Sequence, residues 1–78
     1  MPTVLRVKGF RFFVFSREES RKHIHICSAN GEAKFWIFPE IELARNCRYT
    51  RKELKEIENI IEENYEHINQ AWNKHFTS

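Results

Sequence analysis

Two cysteines, two glycines, two prolines and one methionine are all that this chain of 78 residues holds of the types that staple or punctuate a fold. Cys27 and Cys47 stand far apart and form no CxxC or disulfide-framework spacing, so reduced thiols and a cytoplasmic location are expected. No apolar run approaches the roughly 20 residues needed to span a bilayer. Met1-Pro2-Thr3-Val4-Leu5-Arg6 lacks the basic start and apolar stretch of a secretory leader, so neither export nor a membrane is expected. A Gly-rich phosphate loop, a paired-carboxylate motif, GxSxG and a Walker sequence are also missing. Nucleotide hydrolysis and triad hydrolysis are left without support. With no repeat, low-complexity tract or second domain, residues 1–78 read as one small domain with a modest core.

What is there is apolar, aromatic and unevenly charged. A hydrophobic content of 41%, with seven Phe and two Trp, makes the chain globular and not disordered. The net charge is +2, yet 11 Lys/Arg face 5 Glu up to Lys52, whereas 2 Lys face 6 Glu beyond it. Such a dipole suits a basic N-terminal part meeting phosphate or an acidic protein, and an acidic C-terminal helix that nucleic acid avoids.

Residues 1–46 read as β-rich. Thr3 to Val7 and Phe10 to Phe15 form two strands about a tight Lys8-Gly9 turn, and a polar loop follows over 16–22. In His23-Ile24-His25-Ile26-Cys27 strict alternation puts two imidazoles and a thiol on one side of a strand and the isoleucines on the other. Asn30-Gly31 marks a hairpin turn into a fourth strand, in which Ala33, Phe35 and Ile37 alternate with Lys34, Trp36 and Phe38 before Pro39 ends the ladder. Glu40 to Ala44 fits a short edge strand or a helical turn equally well. From Thr50 the period becomes helical: Leu54, Ile57, Ile61, Tyr65, Ile68, Trp72 and Phe76 make one stripe, and Thr50 with Glu53 forms a capping box. A single helix over 50–76 would be about 40 Å long. Its far end, with Trp72, His75 and Phe76, would then overhang the sheet and meet a partner protein or a second copy.

These elements predict an α+β domain: a four- or five-stranded, mostly antiparallel sheet packed against one long C-terminal helix. Its core is expected from Phe12, Ile24, Ile26, Phe35, Ile37, Leu54, Ile57, Ile61 and Ile68.

His23 and His25 are the candidate acid-base pair, because histidine exchanges protons near neutral pH. As an endoribonuclease the pair would serve a ribose 2′-OH and a leaving oxygen, with Arg11, Lys22 or Lys34 stabilising charge on the phosphorus oxygens. Metal binding would recruit Cys27 as a third ligand, but no further ligand cluster lies near in sequence, so neither metal nor cofactor is expected. Phe13, Phe15 and Trp36 can stack bases, although alternating aromatics more often build core. Lys8, Arg17, Arg21, Lys22, Arg48, Arg51 and Lys52 are the candidate phosphate contacts at the sheet edges.

Six blocks carry a resemblance to a family: Met1-Pro2-Thr3-Val4-Leu5-Arg6, Gly9-Phe10-Arg11-Phe12-Phe13, His23-Ile24-His25-Ile26, Gly31-Glu32-Ala33-Lys34-Phe35-Trp36, Glu42-Leu43-Ala44-Arg45-Asn46 and Glu53-Leu54-Lys55-Glu56-Ile57. In this order they resemble domain-of-unknown-function family 4160 over nearly the whole chain. The resemblance implies a small prokaryotic protein often encoded beside a second small protein in toxin-antitoxin-like pairs. Arg21-Lys22 stand where similar members carry two prolines, Phe38 where an acidic residue is common and Cys47 where glycine is frequent. The expected function is therefore one component of such a pair, binding a cognate partner protein encoded nearby, and RNA, through a basic, histidine-bearing sheet surface. An endoribonuclease toxin using His23 and His25, or a purely structural assembly subunit, are the alternatives.

Overall fold

The chain begins with a β-meander and ends in two helices, as described by a computed structural model for residues 3–14 and 21–77. The strands are β1 (Thr3–Val7), β2 (Phe10–Phe13), β3 (His23–Ser28), β4 (Gly31–Trp36) and β5 (Glu42–Cys47), followed by α1 (Arg51–Glu63) and α2 (Tyr65–Thr77). They form one five-stranded sheet in the order β1-β2-β3-β4-β5, every neighbouring pair antiparallel. The α+β class and the antiparallel sheet are as expected.

Each turn follows its local chemistry. Lys8 and Gly9 both have positive φ, 52° and 85°, the conformation that a tight hairpin between twisted strands requires. The β3–β4 turn consists of Ala29 and Asn30, with Ser28 paired to Gly31, so the Asn30-Gly31 expectation is one residue out. Gly31 is needed for a different reason: a Cβ there would collide with the Cys47 carbonyl oxygen at the end of the adjoining strand β5. Asn30 instead reaches across to the helix, donating from Nδ2 to Glu53 Oε2 at 3.0 Å. Of the ambiguous 40–44 region, Glu42 to Ala44 open the edge strand β5, and Glu40 and Ile41 lead into it. There the register shifts between Lys34 and Phe35, so that Phe35 pairs with Leu43 and Lys34 with Arg45.

The capping box forms as read: Thr50 Oγ1 accepts from the Glu53 N–H at 3.1 Å, and Glu53 Oε1 accepts from the Thr50 N–H at 2.9 Å. The Thr50 backbone N–H, joined by the side-chain amide of Asn30, holds the Glu53 carboxyl below its ordinary range. The stabilisation from this cap is present near neutral pH and is lost as pH falls through that lowered value.

One long helix is the expectation that fails. The helix is interrupted at Asn64, whose φ of −118° is not helical; its N–H turns to the Ile60 and Ile61 carbonyls, and its side-chain amide donates to Ile60 O at 2.9 Å. No basic residue lies in the last turn of α1, where Glu62 and Glu63 oppose the helix dipole. The physical gain is fit. A helix of 13 residues is about 20 Å long, close to the width of five strands at about 4.8 Å spacing.

Beyond Asn64, α2 crosses the end of the sheet. Tyr65 Oη donates to Ile37 O at 2.8 Å, Lys22 Nζ to Asn69 Oδ1 at 2.8 Å, and His67 Nε2 to Val4 O at 3.1 Å. Ile68 and Trp72 thereby enter the core with Ile57, Ile60 and Ile61 of α1. Of the expected core only Leu54 is left partly exposed, while Phe10, Val14, Ala33, Tyr49, Ile60 and Trp72 are added. Burial pushes the Tyr49 phenol up, and its oxygen lies 2.8 Å from Ser28 Oγ. Among the described residues no helix is long and apolar enough to cross a membrane.

The two hairpin glycines should respond differently to alanine. Gly9 has open space where a Cβ would go and only its φ is strained, so Gly9→Ala should cost about 1 kcal/mol. Gly31→Ala should cost more, roughly 2–3 kcal/mol, because β5 backbone must move. Urea denaturation of both variants checks the order.

Candidate functional site

With α1 covering the face that carries Phe12, Ile24, Ile26 and Phe35, the opposite face of the sheet is set by the other half of each alternation. Register arranges it in rows running across the strands. Arg6, Arg11, Cys27, Glu32 and Cys47 form one row; Thr3, Phe13, His25, Lys34 and Arg45 form the next; His23, Trp36 and Glu42 form the third. Both imidazoles therefore share a face with Arg11 and Lys34, as the spacing predicts.

They do not share its solvent. His23 is 1% and His25 8% exposed, a correction to the open, wet histidine surface expected. His25 stacks on Phe13 with centroids 5.3 Å apart and planes at 20°, and it meets the His23 ring nearly at a right angle at 5.1 Å. His23 is enclosed further by Trp36 at 5.8 Å and by Trp72 at 4.8 Å. Its Nδ1 donates to the Arg21 carbonyl at 2.7 Å, which fixes the tautomer and meets the demand of a buried polar group. The cause is the bend at Asn64, which brings Trp72 from the end of the sheet onto the ring.

This also corrects the partner contact expected of the helix end. Trp72 is 5% exposed and belongs to the core, and His75 is half-buried. The side chain of Phe76 falls outside the described residues, as do Phe15 and Arg17. Among the described residues the large apolar side chains left exposed are Phe38, at 57%, and Leu43, at 43%, on the β4–β5 connection and the edge strand. Alternation puts Phe38 on the side of Lys34 and Trp36, whereas Leu43 is paired with the core residue Phe35 and its exposure follows from its place on the edge strand.

Cations cover the aromatic rings of the open face. The Arg11 guanidinium lies 4.8 Å from the Phe13 centroid while its Nε donates to Thr3 Oγ1 at 2.8 Å. Trp36 has the Arg21 guanidinium and the Lys34 ammonium both 4.6 Å from its ring. Arg21 is held in place by Nε donating to Phe38 O and Nη2 to Glu42 Oε1, each at 3.0 Å. These are favourable contacts worth about 0.5–2 kcal/mol each, depending on exposure.

The other expected phosphate contacts are not gathered here. Lys8, Arg48, Arg51 and Lys52 lie at the opposite end of the molecule, where the hairpin turns meet the start of α1 and Lys8 sits 3.7 Å from Glu56. Lys22 points to the α2 end, bonded to Asn69 and lying over Phe38 at 5.7 Å. Two cations outside the expected set also belong to the face: Arg6 opposite Arg11, and Arg45 opposite Lys34. Strand parity marks Arg6, and Arg45 becomes visible once 42–47 is known to be a strand. Among the described residues no three His, Cys or Glu side chains converge on a point that could hold a metal ion.

A family model described as Domain of unknown function (DUF4160) matches residues 9–73. No curated protein and no solved structure matches the chain.

If Trp72 encloses His23 and does not serve as an outward anchor, Trp72→Ala should lower stability by about 3–5 kcal/mol. Its elution volume in size-exclusion at a temperature where it remains folded should equal that of the parent. A stable variant with altered elution would restore the overhanging helix end.

Proposed function

The chain belongs to the DUF4160 family, and on that premise we propose that it is the binding component of a toxin-antitoxin-like pair, taking a single strand of RNA on its open sheet face. The observation that carries the reading is the set of rows in which Arg6, Arg11, Arg21, Lys34 and Arg45 surround Phe13, His25 and Trp36. Unpaired RNA needs both kinds of group: cations to neutralise phosphates, and flat surfaces to receive bases that a duplex keeps stacked. A sheet face offers them at regular spacing on a stiff support. Against five cations the face sets Glu32 and Glu42, while the late helical segment is acidic. The field of the molecule thus presents the sheet to a polyanion and turns the helices away. The cognate partner protein, in this reading, contacts the exposed Phe38 and Leu43 at the sheet margin.

Burial favours binding over cleavage. An endoribonuclease using His23 and His25 needs both rings within hydrogen-bond reach of substrate, which would require His23 to leave Trp72 and the Arg21 carbonyl. In the binding reading the imidazoles support the platform from below and Arg11 and Lys34 contact phosphate.

Fluorescence anisotropy with a labelled single-stranded RNA tests this. Affinity should fall with salt, and Lys34→Ala with Arg45→Ala should reduce the slope of log K against log salt by roughly 0.7 for each phosphate that is no longer neutralised. Arg51→Ala with Lys52→Ala should leave the slope nearly unchanged. The RNA should remain intact throughout; cleavage by the parent that is abolished in folded His23→Gln and His25→Gln variants would support the enzyme instead.

A further inference from the structure

We infer that Arg21 is the base-stacking plane of this face, so that the ligand is recognised through an unpaired base lying on a guanidinium and not only through its phosphates. The inference rests on the RNA-binding reading above and names what that surface selects. Trp36 is the largest ring of the face, but Arg21 and Lys34 both lie 4.6 Å from its centroid. A base therefore meets cations before it meets the indole. Of these, Arg21 is built into a fixed orientation: Nε on Phe38 O, Nη2 on Glu42 Oε1 and the guanidinium over Trp36. Its side chain nevertheless keeps 41% of its surface exposed.

Two physical consequences follow from that geometry. Holding the guanidinium in place beforehand removes most of the rotamer entropy that a free arginine would lose on binding. Glu42, at 3.0 Å, already answers much of its charge, so a phosphate would have to compete with a carboxylate for the group. The flat face of a base does not compete, because it stacks on the guanidinium plane without displacing either hydrogen bond. A paired base has no free face, and the site accordingly takes single strands. His23 anchors the arrangement from the other side, since its Nδ1 is bonded to the Arg21 carbonyl.

The test compares a single-stranded RNA ten-mer of mixed sequence with a ten-mer of abasic ribose phosphate and with an RNA duplex, all binding to the full chain. The parent should prefer the base-bearing single strand by about tenfold over the abasic strand, in line with the worth of one stacked base, and should prefer it to the duplex. Arg21→Lys keeps the charge but not the plane, and should bring the preference over the abasic strand to within about twofold with the salt slope unchanged. Glu42→Gln loosens the anchor while removing a negative charge; it should bind both strands more tightly yet discriminate less between them. Equal binding of base-bearing and abasic strands by the parent, equal binding of the duplex, or a folded Arg21→Lys that retains the tenfold preference would overturn the inference and leave phosphate recognition standing. Binding of none of the three RNAs at low salt would overturn the reading beneath it as well.

Discussion

The contact between Trp72 and His23 decides how the two sides of this small sheet are used. His23 opens the central strand β3 on the face opposite Ile24 and Ile26, and without a neighbour from the helices it would stand in water beside Trp36. Trp72 supplies that neighbour from 4.8 Å away. A buried imidazole is tolerated only when hydrogen-bonded, and the carbonyl that accepts its Nδ1–H is that of Arg21, two residues back. One apolar contact thus sets the path of the chain into β3 and, with it, the place from which Arg21 reaches over Trp36.

The open face becomes a two-layer surface. Beneath lie Phe13, His25, His23 and Trp36, arranged by alternation and pressed together edge-on or stacked. Above lie Arg11, Arg21 and Lys34 at 4.6–4.8 Å from ring centroids. Aromatic faces attract the cations and the cations shield the aromatics, which lets a chain of 78 residues keep a flat, ring-rich surface outside its core without leaving a bare apolar patch. Proton exchange with a substrate needs exposed imidazoles; a stacking and phosphate-binding surface needs stiff ones, and stiffness is what burial confers here.

Local rules reach far in this sequence. Alternation assigns His23 and His25 to one face and Ile24 and Ile26 to the core, the Thr50/Glu53 box locates the start of α1, and the apolar stripe names Ile57, Ile61 and Ile68. What local rules cannot carry is the bend. The stripe continues through Asn64 without a break in period, and the helix parts there because a straight rod is longer than the sheet is wide, a property of the assembled fold. From that single difference come the burial of Trp72, the enclosure of His23 and the removal of the overhanging helix end as a partner site. Arg45 is hidden similarly: a cation joins a surface through its cross-strand neighbour, and pairing across β4 and β5 includes a register shift that no spacing reveals.

The central claim is that the sheet face opposite α1 is the surface on which ligand is held. Its most direct test is a two-dimensional amide NMR titration of the full chain with single-stranded RNA. The account predicts that shifts concentrate at Arg11, Phe13, Arg21, His25, Lys34, Trp36 and Arg45. Shifts confined instead to the turn end around Lys8, Arg48, Arg51 and Lys52 would contradict it.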